Sequence, residues 1–147
     1  AIRLTRAFAP VMEARGGGAI VNIGGMDSRA ERILAATTSG ATRAFTKAIA
    51  PYLAERGISI NILSLGVVRS GRTTVVEAQP LANSEGMNLD DAMESIRANM
   101  PTGHIAKPEE IADLVLFLAS QRVYNLTGNE IIVDGAASLA AFRAAPR

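Results

Sequence analysis

Three times along this chain, a segment with the apolar spacing of a helix is followed by a short run of β-branched and other apolar residues. The predicted helices cover residues 2–15, residues 35–56 and a segment that begins at Pro108, and the predicted strands that follow them are 19–23, 58–63 and Glu130–Val133. Glycines stop the first two helices. This alternation is what a parallel sheet with right-handed crossovers requires, so the sequence predicts an α/β fold with three parallel strands.

The composition limits the kinds of protein that this chain can be. Of its 147 residues, 48% are apolar and 20% are charged, which is typical of a globular domain with a core. Its 15 Lys and Arg residues nearly balance its 14 Asp and Glu residues and are scattered along the sequence. We therefore expect neither a nucleic-acid partner nor a membrane-surface partner. No apolar run reaches the ~20 residues that cross a bilayer.

Cysteine and histidine are too scarce for several kinds of site. The chain has no cysteine, which excludes disulfides and thiolate chemistry and is consistent with a cytoplasmic protein. His104 is its single histidine, and we interpret it as a solvated loop residue because the sequence offers no evident partner to orient it. We expect no metal site.

The region between the second strand and the third helix is less regular. Residues 64–106 are predicted to be rich in loops, with one helix over residues 89–100. Pro51 lies inside the second helix and removes a backbone donor, so we expect a kink or an early end there. The sequence indicates one incomplete domain over residues 1–147, with a core at 1–72, an irregular segment at 73–106, a last helix and strand at 107–135 and a tail at 136–147.

Three segments together resemble a known family. The first is the run from Gly18 to Ile23 with Ala9-Pro10-Val11-Met12 in the helix before it, and the second runs from Ala44-Phe45-Thr46-Lys47-Ala48 through Glu55-Arg56-Gly57 to Asn61. The third, which is the most specific, contains Lys107-Pro108-Glu109-Glu110, Phe117-Leu118-Ala119-Ser120, Thr127-Gly128 and Val133-Asp134-Gly135 in order. The sequence resembles the short-chain dehydrogenase/reductase family, whose members move hydride between NAD(P) and alcohols or carbonyls. The resemblance implies the C-terminal half of a Rossmann-type, doubly wound parallel sheet.

The resemblance implies NAD or NADP as the cofactor, yet the glycine-rich turn that grips its pyrophosphate is missing from the sequence. Such a turn joins a strand to a helix N-terminus. Gly16-Gly17-Gly18 instead precedes a strand, and Gly24-Gly25 has no spaced third glycine before a helix. In the family this turn follows the first strand. Because the sequence opens on Ala1 in a helical pattern, we expect that the N-terminal half of the family's domain has been lost, trimmed or not included.

The catalytic residues of the family are also missing. In the family, a Tyr-x-x-x-Lys pair on the long second helix and a serine after the preceding strand perform the chemistry. Two alignments are open: one places Ala35 and Ser39 where Tyr and Lys should be, and the other places Thr37 and Ala41 there. Gly24-Gly25 takes the place of the usual Ser-Ser, and neither tyrosine of the chain has a lysine four residues later. We expect no catalytic residue in this chain.

One segment of the family's cofactor site is retained in this sequence, just after the second predicted strand. Residues 65–70, Leu-Gly-Val-Val-Arg-Ser, are similar to the family's Pro-Gly-x-Val-x-Thr loop, which lies against the nicotinamide. The resemblance implies that Gly66 allows a close backbone approach, that Val68 offers backbone groups and that Ser70 offers a hydroxyl. An ordinary turn at the end of a strand explains the same residues, and both interpretations stay open.

Two hypotheses for the whole chain follow. The first is a fragment of an NAD(P)-dependent oxidoreductase that cannot transfer hydride by itself, and the second is a catalytically silent assembly or binding partner. In the family the two long helices, here 2–15 and 35–56, build homo-oligomers, and the unpaired edge of the first strand invites association, so we expect a homo-oligomer. Residues 73–100 correspond to the family's substrate loops. Their apolar content indicates a mostly hydrophobic lid over an unidentified small-molecule substrate.

Overall fold

The computed structural model of the chain, which describes residues 1–26 and 33–142, has an α/β fold with three parallel strands flanked by helices. The strands are β1 (Gly18–Gly25), β2 (Ile58–Leu65) and β3 (Glu130–Val133), and the helices are α1 (Ile2–Ala14), α2 (Ile33–Ala54), α3 (Gly71–Thr73), α4 (Gln79–Glu85), α5 (Leu89–Ala98) and α6 (Pro108–Ala119). A π-helical segment, Thr74–Ala78, joins α3 to α4, and a 3-10 helix covers Ala137–Phe142. The strand order is β1-β2-β3. The predicted fold class is confirmed.

Two compact units make up the described chain. The first contains Ala1–Leu65 and Ala112–Ile132, and the second contains Gly66–Ile111 and the described residues from Val133 onward. In the first unit, β1 and β2 pair in parallel, from Gly18 opposite Ile58 to Gly25 opposite Leu65. The strand β2 is central and is buried along all but its last residue. Burial of both faces is typical of a parallel sheet with helices on each side.

The core of the first unit forms where α1 and α2 pack on the sheet. Ala9 from α1 and Ala50 and Leu53 from α2 are buried with Ile58 and Ile60 from β2. The polar residues of β2 have partners that offset their burial. The side chain of Asn61 donates to the carbonyl of Leu126 at 2.7 Å and accepts from the backbone N–H of Asn129 at 3.1 Å. These bonds hold the segment before β3 beside the central strand.

The glycines after α1 are required where the helix turns into β1. A Cβ on Gly17 would lie 2.1 Å from the carbonyl oxygen of Gly57, and Gly17 has a φ of +111°, which side chains rarely allow. The predicted end of the first helix at these glycines is confirmed. The expectation for Pro51 was wrong in part, because α2 passes through this proline and ends one turn later at Ala54.

The second unit is more helical than the sequence indicated. Residues 71–85 were predicted to be loop-rich, but they form α3, the π-helical segment and α4. Their core consists of three small residues, Ala78, Ala82 and Ala92. Leu81, Met87 and Leu89, which the sequence assigned to a hydrophobic lid, pack against this core. The weak apolar periodicity of an alanine core explains why pattern alone missed these helices.

Candidate functional site

Gly66 follows β2 directly and is held by β3. Its N–H donates to the carbonyl of Val133 at 2.9 Å. A Cβ on Gly66 would lie 2.7 Å from the Cβ and 2.8 Å from the Cα of Asp134. This close approach of two backbones requires glycine whether or not a ligand is bound.

Val68 lies in a short extended stretch beside residue 106. It forms a parallel bridge with Ala106, and the next N–H, that of Arg69, donates to the carbonyl of Ala106 at 2.8 Å. The carbonyl of Val68 accepts the hydroxyl of Thr73. A carbonyl oxygen has two lone pairs, so this contact leaves Val68 able to accept a second hydrogen bond.

Ser70 is the N-cap of α3. Its hydroxyl oxygen accepts the N–H of Thr73 at 3.4 Å, near the limit for a hydrogen bond. Ser70 is exposed, and its hydroxyl also lies 3.5 Å from the hydroxyl of Thr73, whose own hydrogen is donated to the carbonyl of Val68. The three residues predicted to bind cofactor therefore lie in one short segment, residues 66–70. Each of them also makes a contact that stabilises the fold.

A polar network connects α2 with the end of β1 in the first unit. The hydroxyl oxygen of Ser39 accepts the N–H of Gly25 at 3.1 Å, and the guanidinium of Arg43 donates to the carbonyl of Gly25 at 3.5 Å. Arg43 also lies 3.7 Å from the carboxylate of Glu130, which accepts the hydroxyl of Ser64 at 2.6 Å. Sequence reasoning missed Arg43, although its spacing of four residues from Ser39 places both on one helix face.

The structure places the residues of the two open alignments as follows. Ser39 lies against the end of β1, whereas Ala35, Thr37 and Ala41 are exposed. The alignment with Ala35 and Ser39 therefore places its second residue at the strand end, next to Gly24-Gly25. Residues 27–32, on which the length of the intervening loop depends, lie outside the described residues.

A cavity of about 640 Å³ lies in the second unit, between the segment after β2 and α5. Charged residues line much of it: Arg69, Asp90, Glu94, Arg97, His104 and Lys107. Arg97 donates through Nε to Glu94 at 2.7 Å and through its terminal nitrogens to Glu94 and to the carbonyl of Gly103. The cavity thus contains the ion pair of Arg97 with Glu94, whose charges cancel, beside the other ionisable side chains of the lining.

His104 has the partner that the sequence did not reveal. Its Nε2 lies 2.8 Å from the carboxylate of Glu110, which also accepts the N–H of Lys107 at 2.6 Å. Both hydrogen bonds favour the charged carboxylate and hold the pKa of Glu110 below its ordinary value. The bond from the N–H of Lys107 has the larger effect, and the bond from His104 adds to it. The side chains of both His104 and Glu110 are about half exposed, at 51% and 50%, so this is a solvated pair at the start of α6.

Asp134, at the end of β3, is held as a carboxylate by backbone donors. Burial opposes its ionisation, but the side chain and N–H of Ser138 and the N–H of Ala136 donate to it and together outweigh burial, so the pKa of Asp134 is lowered. The carboxylate thereby fixes the turn into the last 3-10 helix, close to Gly66.

Within residues 1–26 and 33–142, no helix combines the length and the apolar character needed to cross a membrane. In the same ranges, no three His, Asp or Glu side chains converge as metal ligands.

Comparisons with known proteins agree with this architecture. The family model for enoyl-(acyl carrier protein) reductase matches residues 1–138. Galactitol 2-dehydrogenase (L-tagatose-forming) of Cereibacter sphaeroides is 34% identical over 138 residues, which are 89% of this chain and 50% of that protein. The chain belongs to the short-chain dehydrogenase/reductase family.

Solved structures of the same family superpose on the chain. L-Sorbose reductase from Gluconobacter frateurii, solved with NADPH and L-sorbose, has a TM-score of 0.82 at 27% identity, over 91% of this chain and 52% of that one. A protein of Beutenbergia cavernae described as an NAD(P)-dependent gluconate 5-dehydrogenase was solved with bound NADP. It has a TM-score of 0.77 at 29% identity, over 92% of this chain and 52% of that one. The chain spans about half the length of the relatives that it matches.

Proposed function

We propose that this chain is the C-terminal half of an NAD(P)-dependent short-chain dehydrogenase/reductase and that it does not transfer hydride by itself. The observation that supports this most directly is the contact of Ser39 with the end of β1. In the alignment with this contact, Ser39 takes the place of the family's lysine and Ala35 that of its tyrosine. Neither residue can exchange a proton with an alcohol or carbonyl near neutral pH.

The segment after β2 would contribute to cofactor binding once the nucleotide-binding half is present. Bound NAD(P) would supply or accept the hydride. The accessible hydroxyl of Ser70 and the remaining lone pair of the Val68 carbonyl suit the carboxamide of a nicotinamide, and Gly66 keeps side-chain atoms away from it. The residues present therefore fit one edge of the cofactor, and we do not expect this chain alone to bind NAD or NADP.

The test measures binding and turnover separately on the purified chain. We expect no saturable change in NADH or NADPH fluorescence at micromolar concentrations, and no turnover of galactitol or L-sorbose above the background without protein. These two substrates are those of the relatives named above. L-Sorbose reductase serves as the positive control in the same assay. Turnover at an ordinary enzymatic rate would disprove the proposal.

A second candidate function, a catalytically silent assembly partner, is favoured by the apolar surface of α1. Leu4, Phe8 and Val11 are at least half exposed and follow helical spacing. In the family, helices at these places build homo-oligomers, and we propose the same use for α1 and α2. A cytoplasmic location stays part of the proposal.

A further inference from the structure

The segment between α5 and α6 is hydrogen-bonded to the chain that follows β2. Ala106, in this segment, forms a parallel bridge with Val68, and its carbonyl accepts the N–H of Arg69 at 2.8 Å. Residues 66–70, to which Val68 and Arg69 belong, are the candidate cofactor segment. Any change that loosens Ala106 therefore also loosens the backbone at Val68 and Arg69.

His104 connects the same segment to α6, two residues before Ala106. Its Nε2 lies 2.8 Å from the carboxylate of Glu110, and that carboxylate also accepts the N–H of Lys107 at 2.6 Å. The two contacts come from residues on either side of Ala106. Glu110 thus holds both ends of the short stretch that contains Ala106.

The strength of the contact between His104 and Glu110 depends on pH. His104 is the single histidine of the chain, and its ring is charged only when it is protonated. Imidazoles gain this proton between about pH 8 and about pH 5. Glu110 stays charged across that range, because its hydrogen bonds hold its pKa below the ordinary value of 4.5. As the pH falls, a hydrogen bond from a neutral ring therefore becomes a stronger, charge-assisted ion pair.

The charged side chains that face His104 accommodate this proton. His104 lines the cavity of about 640 Å³ and a second one of about 180 Å³, and both lie within the second unit. In the described part of these linings, the other charged residues are three cations and four carboxylates: Arg69, Arg97, Lys107, Asp90, Glu94, Glu110 and Asp134. A proton on His104 balances these charges, whereas a neutral ring leaves one carboxylate in excess. Arg97 opposes the proton little, because it is paired with Glu94.

We propose that His104 is a pH-sensitive switch: its charged ring holds residues 104–107 against α6 and stabilises the pairing of Ala106 with Val68, and its neutral ring weakens both. This stabilisation is fully present at the acidic end of the range and is lost as the pH rises. The inference does not rest on the proposed function, since it concerns how two stretches of this chain are held together and not whether they bind NAD(P).

Hydrogen exchange of the Arg69 amide, followed by NMR on the purified full-length chain, tests the switch. The protection factor, which corrects for the pH dependence of exchange itself, should be about two- to fivefold higher at about pH 5.5 than at about pH 8, as befits a half-exposed ion pair. The ring protons of His104 report its protonation in the same samples, and the two curves should share a midpoint. The amide of Ile62, which donates to the carbonyl of Asn129 at 2.9 Å in the first unit, should show no such change.

Four variants separate the switch from a general effect of pH. His104→Gln keeps a donor that does not titrate and Glu110→Gln removes the charge that the imidazolium needs, so both should abolish the pH dependence. His104→Arg keeps a permanent cation and should hold the protection near its acidic value at both pH values. Glu109→Gln removes an exposed carboxylate outside both linings and should leave the profile unchanged. Protection of Ile62 shows that each variant is folded.

Three results would overturn the proposal. The first is a wild-type protection factor of the Arg69 amide that does not change with pH. The second is a midpoint that differs from that of the His104 ring. The third is a wild-type profile in His104→Gln, or an equal loss of pH dependence in Glu109→Gln and Glu110→Gln.

Discussion

The fold requires glycine at position 66, because the chain just after β2 lies against Asp134, just after β3, and leaves no room for a side chain. The family resemblance suggested a different reason, the close approach of a cofactor. Packing against Asp134 is sufficient to require glycine, so Gly66 by itself does not argue for a cofactor. Ser70 also has a role within the fold, because its hydroxyl caps α3 and contacts the hydroxyl of Thr73, although it is exposed to solvent.

Replacement of Gly66 by alanine tests this packing directly. A Cβ within 2.8 Å of two atoms of Asp134 must displace backbone, so Gly66→Ala should lower the free energy of unfolding by about 1–3 kcal/mol. Urea denaturation followed by circular dichroism measures the change. Gly71→Ala is the matched control, because a Cβ on Gly71 meets no atom within 4 Å and its φ is ordinary. Equal stability of the two variants would contradict the packing argument.

Glu110 makes part of the folding stability of the chain sensitive to acid. Its pKa is lowered by the bonds from the N–H of Lys107 and from His104, so its contribution to stability is fully present above its ordinary pKa of 4.5. That contribution is lost as the pH falls through the lowered pKa of the folded chain. The stability of Glu110→Gln should therefore decline less between pH 5 and pH 3 than that of the wild type.

Thermal unfolding across this pH range provides the measurement for Glu110. Glu109→Gln, which removes a carboxylate one residue away in the same turn of α6, is the control. Parallel pH profiles for the wild type and Glu110→Gln would show that the two hydrogen bonds do not favour the charged form.

At the scale of elements, the second unit depends on capped helices around a very small core. The side-chain oxygen of Asn88 accepts the N–H of Asp91 at 2.8 Å, and its amide donates to the carboxylate of Asp91 at 2.8 Å. Alanine side chains bury little area each, so the caps contribute a larger share of the stability of α5 than they would beside a core of leucines.

Removal of the cap on α5 should have a measurable effect. Asn88→Ala should destabilise the chain by about 1 kcal/mol, since one orphan N–H at the helix start loses its acceptor. Asn88→Ser, which restores an acceptor of similar reach, should recover most of the loss. Hydrogen exchange at the amide of Asp91 reports the cap locally. A neutral Asn88→Ala, with unchanged exchange, would show that water replaces the side chain without cost.

At the scale of the whole molecule, the outer surface of α1 is the feature that most needs a partner. Leu4 and Phe8 are 64% and 57% exposed one helical turn apart, and β1 is an edge strand. Contiguous exposed apolar surface of this kind marks interaction sites or promotes association. A homo-oligomer of the chain stays a prediction.

The surface of α1 is tested by a charge placed at its centre. Phe8→Glu should raise the monomer fraction severalfold at a given concentration, measured by light scattering after size-exclusion chromatography. Val75→Glu is the control, because it charges a residue that is 70% exposed in the second unit. A wild-type chain that is monomeric at all concentrations, or an equal response from both variants, would exclude α1 as the association surface.

Regular patterns in the sequence predicted most of the first unit correctly. The β-branched run in β2 and the glycines beside it predicted both the strand and its flanking turns, because burial on two faces selects apolar residues without interruption. The helices at residues 71–85 were missed because their core is made of alanines, which give little contrast with the exposed residues between them. The candidate cofactor segment was found from its resemblance to the family, since a loop has no periodicity.

The sequence by itself determined the α/β class, the three strands and the lack of a Tyr-x-x-x-Lys pair, since each depends on residues close together in the chain. Tertiary structure decided which distant residues meet. It brought Ser39 and Arg43 to the end of β1, Glu110 to His104, and Val68 beside Ala106. Such contacts depend on how strands and loops are registered across long separations, and that register is set by packing and hydrogen bonding of the assembled chain.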